Sequence, residues 1–80
     1  MIRVVAARPL SNTVIWVRFS DGVEAEIDLS DELHGLVFEP LRDPEFFRKV
    51  KVNNDIHTVV WPNGADFAPE FLYARMAVHA

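Results

Sequence analysis

The 80-residue sequence contains no cysteine, only three glycines and no close grouping of histidines. Without cysteine, neither a disulfide framework nor a cysteine-ligated zinc site can form. No glycine belongs to a GxGxxG or P-loop pattern, so the sequence offers no cradle for a nucleotide. His34, His57 and His79 lack the short spacing of metal ligands. We therefore expect neither a cofactor nor a metal ion.

Long apolar runs and an excess of positive charge are also missing. The apolar runs are far shorter than a membrane-spanning helix, and the opening "MIRVVAARPL" lacks the apolar core of a secretion signal. These features predict a cytoplasmic protein. The net charge of −4 argues against nucleic-acid binding, which needs a basic face to neutralise phosphates.

The acidic residues are concentrated in one part of the chain. Nine of the twelve lie between Asp21 and Glu45, where Arg42 is the only lysine or arginine. We call residues 21–45 the acidic segment. Such a segment is typical of a solvated surface; the alternative is a patch that steers a basic protein partner.

Half of the residues are hydrophobic, which is a high fraction for one small domain spanning residues 1–80. Such a chain either packs very efficiently or buries apolar surface against a partner. Residues 2–10 predict a first strand that ends at Pro9. The following "TVIWVRFSDGVEAEIDL" alternates apolar and polar residues on both sides of a turn and predicts a hairpin, which completes a three-stranded meander.

The register of this hairpin follows from its side chains. A two-residue loop would place charged residues on the apolar face, whereas a three-residue loop (residues 20–22) pairs Phe19 with Val23. It also sets Arg18 opposite Glu24, a favourable cross-strand pair. Gly22 suits the left-handed position that such a loop requires. We predict the three-residue loop.

The middle of the chain predicts two short helical elements. The first is a turn capped by Asp28 or Ser30. The second is a helix of about two turns, with Asp43 as the N-cap and Pro44 at its first position. Its Phe46 and Phe47 are expected to pack against the sheet.

A second hairpin is expected between Val50 and Trp61, with two registers open. A two-residue turn at residues 54–55 places Val50 and Val52 on the same side as His57, Val59 and Trp61. A three-residue turn places them with Ile56, Thr58 and Val60. Because both sides of "IHTVVW" carry apolar groups, we expect a strand that is covered on both faces.

The segment "WPNGADFAPEFLY" (residues 61–73) is the densest group of unusual residues. Pro62 and Gly64 fit the second and fourth positions of a type I turn. Asp66 has two interpretations: a cap for the helix that begins at Pro69, or a catalytic or ligand-binding acid beside Trp61. We favour the cap.

The helix from Pro69 onward is apolar nearly all round, which predicts burial on more than one side and contact with a second chain. The overall prediction is an α+β fold, with a three-stranded antiparallel meander, a second hairpin, a short middle helix and a C-terminal helix. The candidate partner or ligand surface is formed by five residues, namely Trp61, Asn63, Asp66, Tyr73 and Met76.

Three stretches, "VRFSDGVEAEIDLSDEL", "FEPLRDPEFFRKVKV" and "TVVWPNGADFAPEFLY", give the chain a resemblance to the domain-of-unknown-function 2442 family of small bacterial and archaeal proteins. The resemblance covers essentially the whole chain. It implies a compact α+β domain without an established activity. Some relatives carry a C-terminal helix-turn-helix that this sequence does not show, and short relatives are often encoded beside another small protein in pairs of the toxin–antitoxin kind.

The functional prediction is a non-enzymatic interaction module. It forms a homo-oligomer, most simply a dimer, or binds a small partner protein as the antitoxin-like half of a pair. One alternative is a small-molecule-binding or catalytic domain centred on Trp61 and Asp66. The other is a fragment of a transcriptional regulator, which would need a basic surface.

Overall fold

The computed structural model describes the backbone of residues 1–79 and the side chains of residues 1–76. Within this part of the chain, the five strands are β1 Val4–Pro9, β2 Val14–Phe19, β3 Glu24–Asp28, β4 Lys51–Asn53 and β5 Thr58–Val60. The two α-helices are α1 Pro44–Phe47 and α2 Pro69–His79, and two 3-10 turns span Ser30–Glu32 and Glu39–Arg42. The predicted α+β fold is confirmed.

The first three strands form an antiparallel sheet in the order β1-β2-β3, as the meander predicted. The register of the first hairpin is also confirmed, with Val17 opposite Ala25 and Arg18 opposite Glu24. The loop closes through a hydrogen bond from the Gly22 N–H to the Phe19 carbonyl at 2.9 Å. Gly22 has φ +89°, the left-handed conformation that glycine adopts without strain.

The two faces of this sheet differ in burial, because alternate side chains point to opposite sides. The core face carries Ile15, Val17 and Ile27, which are completely buried. The other face, which we call the outer face, carries exposed or half-buried residues, and its Arg18 Nη2 lies 2.8 Å from Glu24 Oε2. The core therefore lies on one side of the sheet only.

The predicted start of α1 is confirmed, since the Asp43 carboxylate accepts a hydrogen bond from the Glu45 N–H at 3.0 Å and Pro44 is the first residue. The helix, however, has one turn where we expected two. The N–H groups of Lys49 and Val50 bond the carbonyls three residues earlier. These tight bonds end the helix and let the chain enter β4.

The second hairpin adopts neither of the two expected registers. Its loop has four residues, 54–57, and pairs Val52 with Val59 and Asn53 with Thr58. The Asn53 side chain organises this loop, because its Oδ1 accepts the Asp55 N–H at 2.8 Å. Two added residues keep the alternation of a two-residue turn, so Val52 still shares a face with Val59.

Two further contacts place the elements around one core. The Val4 N–H donates to the His57 carbonyl at 2.9 Å, which joins the first sheet to the second hairpin. Helix α2 begins at Pro69, as predicted, and buries Leu72 completely. In the described residues, none of the helices has the length and apolar character needed to cross a bilayer.

Candidate functional site

The "WPNG" turn is built from three hydrogen bonds. The Trp61 N–H donates to the Ala65 carbonyl and the Gly64 N–H to the Trp61 carbonyl, both at 2.9 Å. The Ala65 N–H donates to Asn63 Oδ1 at 3.1 Å, and Gly64 has φ +87°. The turn predicted from Pro62 and Gly64 is therefore present.

The loop of the first hairpin makes the same three bonds at equivalent positions. The Phe19 N–H donates to the Val23 carbonyl at 2.8 Å, the Gly22 N–H bonds back to Phe19, and the Val23 N–H donates to Asp21 Oδ1 at 3.0 Å. In both loops an Asx residue followed by glycine satisfies the backbone of the turn. The Pro-Asn-Gly sequence is thus accounted for by loop geometry without invoking a reaction.

Trp61 belongs to the core and not to a surface. It is 1% exposed, and its Nε1–H donates to the Phe47 carbonyl at 2.9 Å. Its ring lies 5.7 Å from that of Phe47 and 5.8 Å from that of Phe67, centroid to centroid. The prediction that Trp61 contributes to a partner or ligand surface is wrong, because the indole fills the space between α1 and the segment before α2.

The oxygen and the nitrogen of the Asn63 side-chain amide both form hydrogen bonds within the chain. Its Oδ1 accepts from Ala65, and its Nδ2 donates to the Val37 carbonyl at 2.9 Å. The second bond ties the turn to residues 34–38, and its acceptor lies 26 positions earlier in the chain. Asn63 therefore positions that loop.

Asp66 does not cap α2. Its backbone forms an isolated bridge with Val60, its side chain is exposed, and none of the described side chains or backbone N–H groups donates to its carboxylate. Ala68 directly precedes Pro69, and its carbonyl accepts the Leu72 N–H at 3.2 Å. The predicted cap is wrong because Asp66 is held two residues too early by its bridge.

The environments of Trp61 and Asp66 also argue against a shared reaction centre. A general acid or base needs a carboxylate in a partly desolvated pocket. Trp61 is buried, whereas Asp66 is exposed to solvent. The two side chains therefore do not line one desolvated pocket.

Tyr73 attaches α2 to the first hairpin. Its hydroxyl donates to Asp21 Oδ2 at 2.7 Å, and its ring packs edge-on against Phe19 at 4.8 Å. The hydrogen bond from Tyr73, with a second from the Val23 N–H, lowers the pKa of Asp21. The same bond to the carboxylate raises the pKa of Tyr73. The tyrosine is thus engaged internally.

Arg75 is a second attachment that sequence reasoning missed. Its Nε donates to the Asp28 carbonyl at 2.8 Å, its Nη1 donates to Glu32 at 3.3 Å, and its Nη2 donates to Asp31. Its side chain is 15% exposed. The sequence could have indicated this contact. Arg75 is the one arginine or lysine of an apolar helix, and the acidic segment has nine carboxylates but a single arginine.

The acidic segment is largely used in such internal bonds. Of its nine carboxylates, seven accept hydrogen bonds within the described residues; the two others belong to Glu26 and Glu39. The pKa of Asp28 is lowered chiefly by the Ser30 N–H, with a smaller contribution from Arg75. Most carboxylates of the acidic segment therefore bind backbone N–H groups or side chains of the same chain.

The remaining predicted surface residue on α2 is Met76, which is half-buried and packs against the core. Phe71 and Ala74 are the exposed apolar members of the described part of the helix. The side chains of Ala77, Val78 and His79 lie outside the described residues.

An apolar surface that sequence reasoning missed lies between α2 and residues 36–38. The rings of Phe38, Phe67 and Phe71 stack in a row, with centroids 4.9 and 5.5 Å apart. Leu36 is 97% exposed, Val37 50% and Phe71 36%. We call Leu36, Val37, Phe38 and Phe71 the apolar patch. Its only sequence signal was three consecutive apolar residues in a loop.

In the described region, no three His, Asp or Glu residues are placed to hold a metal ion together. A depression of about 310 Å³ borders the apolar patch and is lined by Leu36, Glu39 and Pro40. It is shallow and carries a single carboxylate.

These features define a small α+β domain whose unusual residues mostly hold elements together and whose apolar patch is left in solvent. The chain belongs to the family described as "Protein of unknown function (DUF2442)", whose sequence profile matches residues 4–77. The predicted family resemblance is confirmed. Comparison with curated proteins found no match, and comparison with solved structures found none.

Proposed function

We propose that this protein is a non-enzymatic, cytoplasmic interaction module. The apolar patch binds a small partner protein, so that the chain acts as the antitoxin-like half of a pair. The observation that carries the proposal is the exposure of two consecutive apolar residues, Leu36 and Val37, next to the row of stacked rings that ends at the exposed Phe71. Exposed apolar groups that adjoin one another are typical of interaction sites.

The patch is held in place before any partner arrives. Phe38 stacks on Phe67, and the Val37 carbonyl accepts the amide of Asn63. A loop fixed in this way loses little conformational entropy on binding. Burial of a large apolar side chain contributes about 1.5–3 kcal/mol, so Leu36 alone is a strong anchor.

The charge beside the patch favours a basic partner. Glu39 lines the depression next to Leu36, and Glu70 precedes Phe71 on α2. Both side chains are exposed, and no described residue forms a salt bridge with either. Carboxylates at the rim of an apolar contact raise the rate of association with a basic surface.

The experiment is co-purification with the product of the adjacent gene, followed by titration calorimetry. Leu36→Lys and Phe71→Lys are expected to weaken binding by at least about tenfold, because each removes an apolar contact and adds a buried charge. Ile56→Lys is the matched control, since Ile56 is 46% exposed in the loop of the second hairpin. Absence of binding by the wild-type chain, or equal weakening by the control, would overturn the proposal.

A further inference from the structure

The outer face of the first sheet carries charges in an ordered arrangement. Cross-strand pairing places Arg8, Trp16 and Glu26 in one row across β1, β2 and β3. The neighbouring row contains Ala6, Arg18 and Glu24. The arginines thus lie on β1 and β2, and the carboxylates lie on β3.

The two rows differ in how their charges are satisfied. Arg18 donates from Nε and Nη2 to Glu24 at 3.0 and 2.8 Å. Arg8 lies over the Trp16 ring at 4.6 Å, and none of the described carboxylates forms a salt bridge with it. Glu26 likewise has no basic partner among the described residues. The first row therefore has a positive end, an indole and a negative end.

We propose that this face binds the same face of a second copy of the chain. A two-fold axis running parallel to β2, above Trp16, turns one sheet over and exchanges the positions of β1 and β3. Arg8 of each copy then opposes Glu26 of the other, and the two Trp16 residues face each other at the axis. The same axis sets the two Arg18 residues opposite each other, where each is paired with its own Glu24. Such an interface is self-complementary, and both ion pairs form by symmetry.

Local charge favours this face for self-association. The chain as a whole carries a net charge of −4, which opposes contact between two copies. On the outer face, Arg8 and Arg18 lie together with Glu24 and Glu26, and Asp28 at the end of β3 adds one further carboxylate, so this face is closer to neutral than the chain as a whole. The acidic rim of the apolar patch offers no such balance. Self-association at a surface separate from the apolar patch thus extends the proposed interaction function.

The size of the face predicts a weak dimer. Three strands of about five residues cover roughly 14 × 16 Å, well below the area of about 800 Å² per partner in standard interfaces. Association is expected to be concentration-dependent between about 10 μM and 1 mM. The protein has two tryptophans, which serve as a probe and an internal reference. Trp16 lies on the outer face and reports on the interface, whereas Trp61 is buried with its Nε1–H bonded to Phe47.

The first test follows the two indole N–H signals in nitrogen–proton correlation spectra across that concentration range. Trp16 is expected to shift on dilution, whereas Trp61 is expected to stay constant. Sedimentation equilibrium gives the dissociation constant. A wild-type chain that remains monomeric at about 1 mM, or a dimer whose formation leaves the Trp16 signal unchanged, would overturn the proposal.

The second test exchanges the charges. Arg8→Glu and Glu26→Arg each turn two attractive pairs into two repulsive ones, and each variant alone is expected to associate at least about tenfold more weakly. In an equimolar mixture, a mixed dimer regains both attractive pairs. The glutamate introduced on β1 of one copy opposes the arginine introduced on β3 of the other, and the native Arg8 opposes the native Glu26. The mixture is therefore expected to regain wild-type association within about threefold.

Restoration in the mixture cannot come from a folding effect, because neither variant alone would show it. Glu39→Arg is the matched control for charge, as it makes the same change away from the outer face. A mixture that associates no better than its components, or a control that weakens association equally, contradicts the two-fold arrangement. Partner binding at Leu36 is measured separately, so failure of one proposal leaves the other standing.

Discussion

Gly22 and Gly64 lie in the two loops that share the same hydrogen bonds, and their replacement gives a quantitative prediction for the free energy of unfolding. Gly22 has φ +89° and Gly64 has φ +87°. A Cβ added at either position meets no atom within 4 Å. Replacement by alanine therefore creates no clash, and its cost is confined to the left-handed backbone. That cost is about 1–2 kcal/mol for a residue with a side chain.

Because the loops share the same hydrogen bonds, Gly22→Ala and Gly64→Ala are expected to cost the same amount within about 0.5 kcal/mol. Each loss of about 1 kcal/mol corresponds to a fall in Tm of about 4–8 °C in a domain of this size. Urea denaturation followed by circular dichroism measures the free energy of unfolding for both variants.

Asparagine tolerates the left-handed region better than alanine does, so Gly22→Asn and Gly64→Asn are the matched controls and should each cost less than the alanine variant. The reasoning would be refuted by a neutral alanine variant at either site. It would also be refuted if the loss at Gly64 clearly exceeded the loss at Gly22, since the "WPNG" turn would then carry a constraint that its geometry does not show.

Three further predictions concern the attachments of α2. Arg75→Lys is expected to lower the free energy of unfolding by about 1–2 kcal/mol, because lysine keeps the charge but cannot bond the Asp28 carbonyl and two carboxylates together; a neutral result in urea denaturation would contradict this. Tyr73→Phe is expected to lose a small stabilisation at neutral pH. Since the pKa of Asp21 is below its ordinary 3.8 and that of Tyr73 is above 10.0, this stabilisation is present between those values; it disappears as the pH falls through the folded-state pKa of Asp21 or rises through that of Tyr73. The difference in unfolding free energy between wild type and Tyr73→Phe, measured against pH, should therefore shrink at both ends, and a constant difference would exclude the contact. Asp66→Ala is expected to change stability by less than about 0.5 kcal/mol, because its carboxylate is exposed; a loss of about 1 kcal/mol, the size of a lost cap, would reinstate Asp66 as a cap.

The first hairpin could be predicted from sequence because its determinants are local. The glycine position, the alternation of side chains and the pairing of Arg18 with Glu24 all specify the same register. The start of α1 was predictable for the same reason, since Asp43 and Pro44 act within one turn. The family assignment likewise rests on contiguous motifs.

The second hairpin was not predicted correctly, because its loop combines local hydrogen bonds with one contact to a distant strand. The loop of residues 54–57 is closed partly by the Asn53 side chain and partly by the bond between the His57 carbonyl and Val4 of β1. The alternation of apolar and polar residues left both an even and an odd loop length open. The bond from Val4 attaches the loop to β1, near the start of the chain, and the local pattern of residues does not reveal this contact.

For the candidate site, the sequence by itself determined the turns at Gly22 and Gly64, the helix start at Pro69 and the family. Tertiary structure decided what the side chains around them do. Trp61 is buried by packing against Phe47, Asp66 is held back by its bridge to Val60, and the apolar patch exists because Asn63 ties a distant loop beside α2. Turns follow from local torsions and hydrogen bonds, whereas burial and exposure depend on which distant segments meet.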